Sequence, residues 1–136
     1  MATGTRFEIR TYENSFDEMV NNLVLAERTR DYFLKALDSQ PFMRTPDSFG
    51  SADMGNVSHV VPAIHILVDV TDGKALSLHT PEFQSAVVTP YADAAILRAG
   101  KALALTGFDV LTQKEFLDAA RAEFTANLGY PPGKSG

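Results

Sequence analysis

Val57-Ser58-His59-Val60-Val61-Pro62-Ala63-Ile64-His65-Ile66-Leu67-Val68-Asp69-Val70 is the stretch on which the reading of the fold turns. Its density of Val and Ile predicts a strand buried on both faces, the usual condition of a central strand in a parallel sheet. Pro62 has no N–H to give a ladder, so the strand proper should begin after it, near Ala63. Thr71-Asp72-Gly73-Lys74 then ends it with a turn, by composition.

Working outward, Phe7, Ile9 and Thr11 alternate with Arg6, Glu8 and Arg10, so Thr5 to Tyr12 reads as a short strand with one buried face. Asn14 to Asn22 is polar and turn-like. A helix is predicted from about Leu23 to Leu37, capped by Asn22 or Asn21, with Leu23, Ala26, Phe33, Leu34 and Leu37 on its apolar face. Gln40 to Gly55 has no apolar period and reads as a long loop, the kind that is often functional. Downstream, Thr89-Pro90 supplies an N-cap and a first-turn proline for a helix over Tyr91 to Leu111. That helix is apolar around most of its circumference and should be largely buried. Thr112-Gln113-Lys114-Glu115 has the form of a capping box opening a last helix that ends near Asn127, with Gly129 as its stop. The order of elements is α/β, with too few strands to build a satisfactory sheet alone.

Composition narrows the function. With 136 residues the chain has one domain's worth of length, and 45% hydrophobic against 21% charged residues is ordinary for a globular protein. A net charge of −5, with basic residues scattered singly, argues against nucleic acid or an anionic membrane as partner. Cysteine is absent, which removes disulfides, thiolate metal sites and a cysteine nucleophile. The N-terminal residues carry no apolar signal region, and the longest apolar run is far short of the roughly 20 residues that cross a bilayer. The expectation is a soluble, cytoplasmic protein.

The candidates for chemistry are few. His59, His65 and His79 are the only histidines. His65 lies in the apolar run, where a hydrogen-bonded core histidine is the plainer reading. His79 follows a strand-to-loop transition and precedes Thr80-Pro81-Glu82-Phe83, a natural place for a side chain to project into a cleft. Zinc-ligand spacings such as His-Glu-x-x-His are absent, and neither Ser51 nor Ser58 sits in a Gly-x-Ser-x-Gly elbow.

The segments are more specific together. Gly50-Ser51-Ala52-Asp53-Met54-Gly55-Asn56-Val57-Ser58-His59-Val60-Val61-Pro62 resembles a stretch of the aminoacylase-like zinc metallopeptidases, peptidase family M twenty. Within that family it is most similar to the branch of p-aminobenzoyl-glutamate hydrolase and the aminoacylase-like dipeptidases. Leu78-His79-Thr80-Pro81-Glu82-Phe83 and Gly100-Lys101-Ala102-Leu103-Ala104-Leu105-Thr106 resemble two further blocks of that family, in the same order. The resemblance implies an incomplete three-layer αβα catalytic domain, with residues 1–12 as the last strand of an inserted lid domain and 13–136 as the C-terminal portion of the catalytic domain.

It further implies a two-zinc hydrolase that cleaves the amide bond of an N-acyl amino acid or dipeptide-like substrate. Residue by residue, His79 matches the family's last metal ligand. Gly50, Ser51, Asp53, Asn56 and Ser58 match a loop lining the substrate cleft. Ala52 stands where the family usually has Thr, which removes one possible hydrogen bond to substrate. The remaining metal ligands and the general-base glutamate have no counterpart here, so this piece is expected to be inactive alone and not to hold zinc by itself. Its partner would be the N-terminal half of the same enzyme or further copies of itself. A non-catalytic binding or oligomerisation module derived from that fold is the alternative, and a complete small hydrolase with an unrecognised site is a third reading.

Overall fold

The computed structural model describes residues 4, 6–12, 14–36 and 52–128. Its elements are α1 (Leu23–Asp31), running on into a π-helical turn at Tyr32–Ala36, α2 (Met54–Ser58), α3 (Pro81–Ala86), α4 (Pro90–Thr112) and α5 (Lys114–Leu128). Helices α1, α4 and α5 pack on one another and form the body of the structure.

Their ends follow from side-chain capping. The Asn22 side chain accepts the Leu25 N–H at 3.1 Å, opening α1 at one of the two caps the sequence offers, Asn22 instead of Asn21. Thr89 accepts from Ala92 N–H and Pro90 occupies the first turn of α4, as the Thr-Pro pair predicts. Thr80-Pro81 repeats that device at α3. The capping box does not form: Thr112 belongs to α4, its hydroxyl donating back to Phe108 O at 2.8 Å, and Gln113 alone separates α4 from α5.

The α/β expectation is overturned: among the described residues there is no strand, and neither a three-layer αβα sheet nor a lid strand over Thr5 to Tyr12 is present. A strand exists only where a neighbour about 4.8 Å away exchanges N–H and C=O groups with it. Residues 62–70 carry the period-two pattern, with Ile64, Ile66, Val68 and Val70 half-buried and His65, Leu67 and Asp69 exposed. Among the described residues, one backbone bond reaches them from elsewhere, Asn22 N–H to Ala63 O at 2.9 Å, and one bond makes no ladder. The segment is therefore covered on one side instead of two. His65 lies outside the core. Phe7 and Ile9 are likewise exposed, and no described residue pairs with them in a ladder. Asp72 and Gly73 both have positive φ (55° and 73°), and Lys74 N–H bonds Thr71 O at 3.2 Å, the form of a tight hairpin turn.

The core is small. Leu25, Phe116 and Ala120 form its buried centre, with Val24, Ile64 and Val110 packed against it. Helix α4 buries a stripe of small and polar residues: Ala92, Ala95, Ala99, Ala102, Thr106 and Asp109. That spacing of three and four is one helical face, and its small side chains let α4 approach α1 closely. The large residues of α4, Ile96, Leu97, Leu103, Phe108 and Leu111, face outward, Leu111 being 87% exposed. On α1 the buried positions are Leu25 and Thr29, whereas Leu23 is exposed.

Candidate functional site

The block that carries the sequence resemblance is built around α2. Gly50 and Ser51 lie outside the described residues. Asp53 precedes the helix, exposed, and its carboxylate makes no capping bond. Asn56 and Ser58 lie within α2 and both turn to the backbone of residues 15–20. Asn56 Nδ2 donates to Ser15 O at 3.1 Å while its Oδ1 accepts Asp17 N–H at 3.3 Å. Ser58 is fully buried; its Oγ accepts Val20 N–H at 2.9 Å and donates to Gly55 O at 2.6 Å. His59 Nε2 lies 3.1 Å from Glu18 O, close enough to donate when that nitrogen carries the proton. Asn56 and Ser58 thus both face residues 15–20, their polar atoms engaged within the chain, whereas Asp53 stays exposed.

His79 stands apart, exposed in the turn before α3 with φ 63°. A left-handed backbone at a non-glycine residue costs about 1 kcal/mol or more and marks positions worth a functional reading. The turn is closed around it by Thr80, whose hydroxyl lies 2.9 Å from Ser77 O and 3.2 Å from Phe83 N. Among the described residues, no three His, Asp or Glu side chains gather where a metal ion could sit. One histidine does not make a catalytic zinc site, which needs three protein ligands.

Three polar clusters have no signature in the sequence. Buried Asp109 accepts from Tyr32 OH at 2.6 Å and Gln113 Nε2 at 2.6 Å, and pairs with Arg28. The Arg28 guanidinium also lies over the Phe116 ring, 4.4 Å from its centroid. Burial works against the Arg28 charge, but the Asp109 carboxylate and the neighbouring Tyr32 oxygen outweigh it and raise its pKa. Donation to Asp109, with burial, raises the Tyr32 phenol above its ordinary value. Beside this cluster the Thr29 and Thr106 hydroxyls meet at 2.9 Å.

The second cluster closes the start of α1. The Glu123 carboxylate accepts Leu23 N–H at 2.8 Å and Val24 N–H at 2.9 Å, and Asn22 Nδ2 donates to Ala120 O at 2.9 Å. With Leu25 N–H held by Asn22, the free donors of the first turn are satisfied inside the protein, so this helix end is not an anion site.

In the turn after Val70, the Asp69 carboxylate accepts Thr71 N–H, Gly73 N–H and Tyr91 OH at 2.8, 2.8 and 3.0 Å. Burial pushes the Asp69 carboxyl up, yet these donors prevail and its pKa falls below the ordinary value. The same bond raises the Tyr91 phenol. A buried pair of threonines and carboxylates saturated with donors are features of structural joints, not of a reactive centre.

The chain is 30% identical over 132 residues to the Xaa-Arg dipeptidases of Mus musculus and Homo sapiens. The match takes in 94% of this chain but 30% of the mouse protein and 29% of the human one, so the chain spans about a third of the length of the curated relatives it matches. No protein-family model and no solved structure matches it. The similarity supports a peptidase-like relationship and does not single out a branch. No helix among the described residues is long and apolar enough to cross a membrane.

Proposed function

We propose that this chain is the C-terminal portion of a dipeptidase-like zinc hydrolase, which cleaves the amide bond of a dipeptide-like or N-acyl amino acid substrate only together with the rest of the catalytic machinery. The observation that carries this reading is the similarity to Xaa-Arg dipeptidases, which runs through nearly all of this chain and under a third of theirs. Two structural features support it. The outward side of α4 leaves Ile96, Leu97, Leu103, Phe108 and Leu111 exposed, large apolar side chains that a partner could cover. Residues 62–70 keep the alternation of a strand without a partner. Both are surfaces suited to the N-terminal half of such an enzyme.

In this assignment His79 is one metal ligand, held at an exposed turn by the Thr80 hydroxyl. Zinc in such an enzyme lowers the pKa of a bound water and polarises the scissile carbonyl. The described residues gather no set of three ligands, so in this assignment the remaining ligands and the general base come from the rest of the enzyme. Asp53, exposed before α2, is the described member of the proposed substrate loop whose side chain remains free of capping bonds; Gly50 and Ser51 would complete that loop.

The test is complementation. A mouse Xaa-Arg dipeptidase lacking the matched region is mixed with this chain, and release of arginine from an Xaa-Arg dipeptide is followed. Restored turnover that is lost with His79→Ala is the expected result. Equal restoration by His79→Ala removes the ligand assignment, and turnover by this chain alone overturns the reading as a dependent portion. The alternative, a non-catalytic oligomerisation module, has the same apolar face in its favour; it predicts a stable metal-free homo-oligomer that forms no complex with the truncated enzyme.

A further inference from the structure

Residues 15–20 have no regular secondary structure of their own, yet their backbone groups are met one after another by α2 and the residue that follows it. Ser15 O and Asp17 N–H go to the two ends of the Asn56 carboxamide, at 3.1 and 3.3 Å. Glu18 O faces His59 Nε2, and Val20 N–H bonds the buried Ser58 hydroxyl. A carboxamide that donates to one peptide group and accepts from the next imitates the neighbour that an extended chain finds in a sheet.

The fit is closed sterically by Gly55. A Cβ there would sit 1.8 Å from Asp17 O and 2.7 Å from Asp17 C, distances at which the segment could not remain in place. Glycine is therefore required by close approach and not by its own backbone angles. The gripped segment runs directly into Asn22, where Asn22 N–H to Ala63 O and the α1 cap tie it to the core.

We infer that the Gly55–His59 stretch is a clamp for the backbone of Ser15–Val20, a joint that fixes this segment against the three-helix body, with Gly55, Asn56 and Ser58 as positioning residues. This assignment stands independently of the proposed hydrolase activity, and the joint exists in the chain by itself.

Because the chain has no cysteine, two introduced cysteines give unique spin-label sites. Asn14→Cys with Lys101→Cys reports the clamped segment against α4, and Arg121→Cys with Lys101→Cys reports the helical body alone; pulsed electron resonance gives both distance distributions. The parent should show a narrow distribution for each pair. Asn56→Ala should at least double the width of the first and leave the second unchanged, and Gly55→Ala should also move the mean of the first. Ser58→Ala should speed hydrogen exchange at the Val20 amide roughly fivefold, the factor for one net hydrogen bond. Should Gly55→Ala fail to fold, Asn56→Ala and Ser58→Ala carry the test. A first distribution as narrow in Asn56→Ala as in the parent, one already broad in the parent, or an unaltered Val20 exchange rate in Ser58→Ala would overturn the clamp.

Discussion

Asp109→Ala removes the acceptor on which α1, α4 and the α4–α5 junction converge. The carboxylate is buried and takes hydrogen bonds from Tyr32 and Gln113, both at 2.6 Å, besides pairing with Arg28. A hydrogen bond involving a charged group contributes about 1.5–3 kcal/mol, and the Arg28 side chain is one-third exposed, so its share belongs at the low end of about 1.5 kcal/mol. Tyr32 and Gln113 add about 1 kcal/mol each, softened because both stay within reach of water. The total is about 3 kcal/mol. For a chain of this size, at about 3–4 °C per kcal/mol, the melting temperature should fall by about 10 °C. Thermal unfolding followed by circular dichroism at neutral pH measures it. Tyr32→Phe loses one neutral donor and should cost about 1 kcal/mol. The double variant should be little less stable than Asp109→Ala, since the phenol then has no acceptor to lose. A fall below about 3 °C for Asp109→Ala, or strict additivity in the double variant, would refute the reasoning.

Three more predictions rest on single features. Asn22→Ala removes both the Leu25 cap and the bond to Ala120 O, so it should cost about 1–2 kcal/mol and accelerate exchange at the Leu25 amide. Glu123→Gln keeps the size but loses the negative charge at the start of α1; about 0.5–1 kcal/mol should be lost at low salt, less at high salt. At Asp69 the folded-state pKa is depressed, so its contribution is fully present above the unfolded value and is lost as pH falls through the folded one. The gap in melting temperature between parent and Asp69→Asn should therefore close at pH below the ordinary carboxylate range; a constant gap from neutral to strongly acid solution contradicts it.

The helices were the legible part of the fold. Asn22 and Thr89-Pro90 announced the starts of α1 and α4 because capping is local chemistry, set by residues within one turn. At 63–70 the sequence carries a strand's pattern and the structure forms no strand. Alternation states which face is apolar, whereas a ladder depends on a neighbour that the segment's own residues do not specify. Helix α2 left no signal, since Gly55, Asn56, Val57 and Ser58 are weak helix formers; its hold on residues 15–20, 38–41 positions away, accounts for it. The buried face of α1 was misplaced for a similar reason: Leu25 and Thr29 turn inward because Thr29 meets Thr106 and Arg28 meets Asp109 on α4. Of the site, Asn56 and Ser58 were picked out by resemblance, but their grip on the chain's own backbone has no sequence signature. Nor does the left-handed backbone of His79.

Metal content separates the account from its rivals most directly. The purified chain, isolated as a single gel-filtration species, is equilibrated with zinc, desalted and analysed for zinc per chain. With no three candidate ligands gathered among the described residues, well below one zinc ion per chain is expected. One or two tightly held zinc ions per chain would mean a site assembled within this chain or across its copies, and would contradict its reading as a dependent portion of a larger hydrolase.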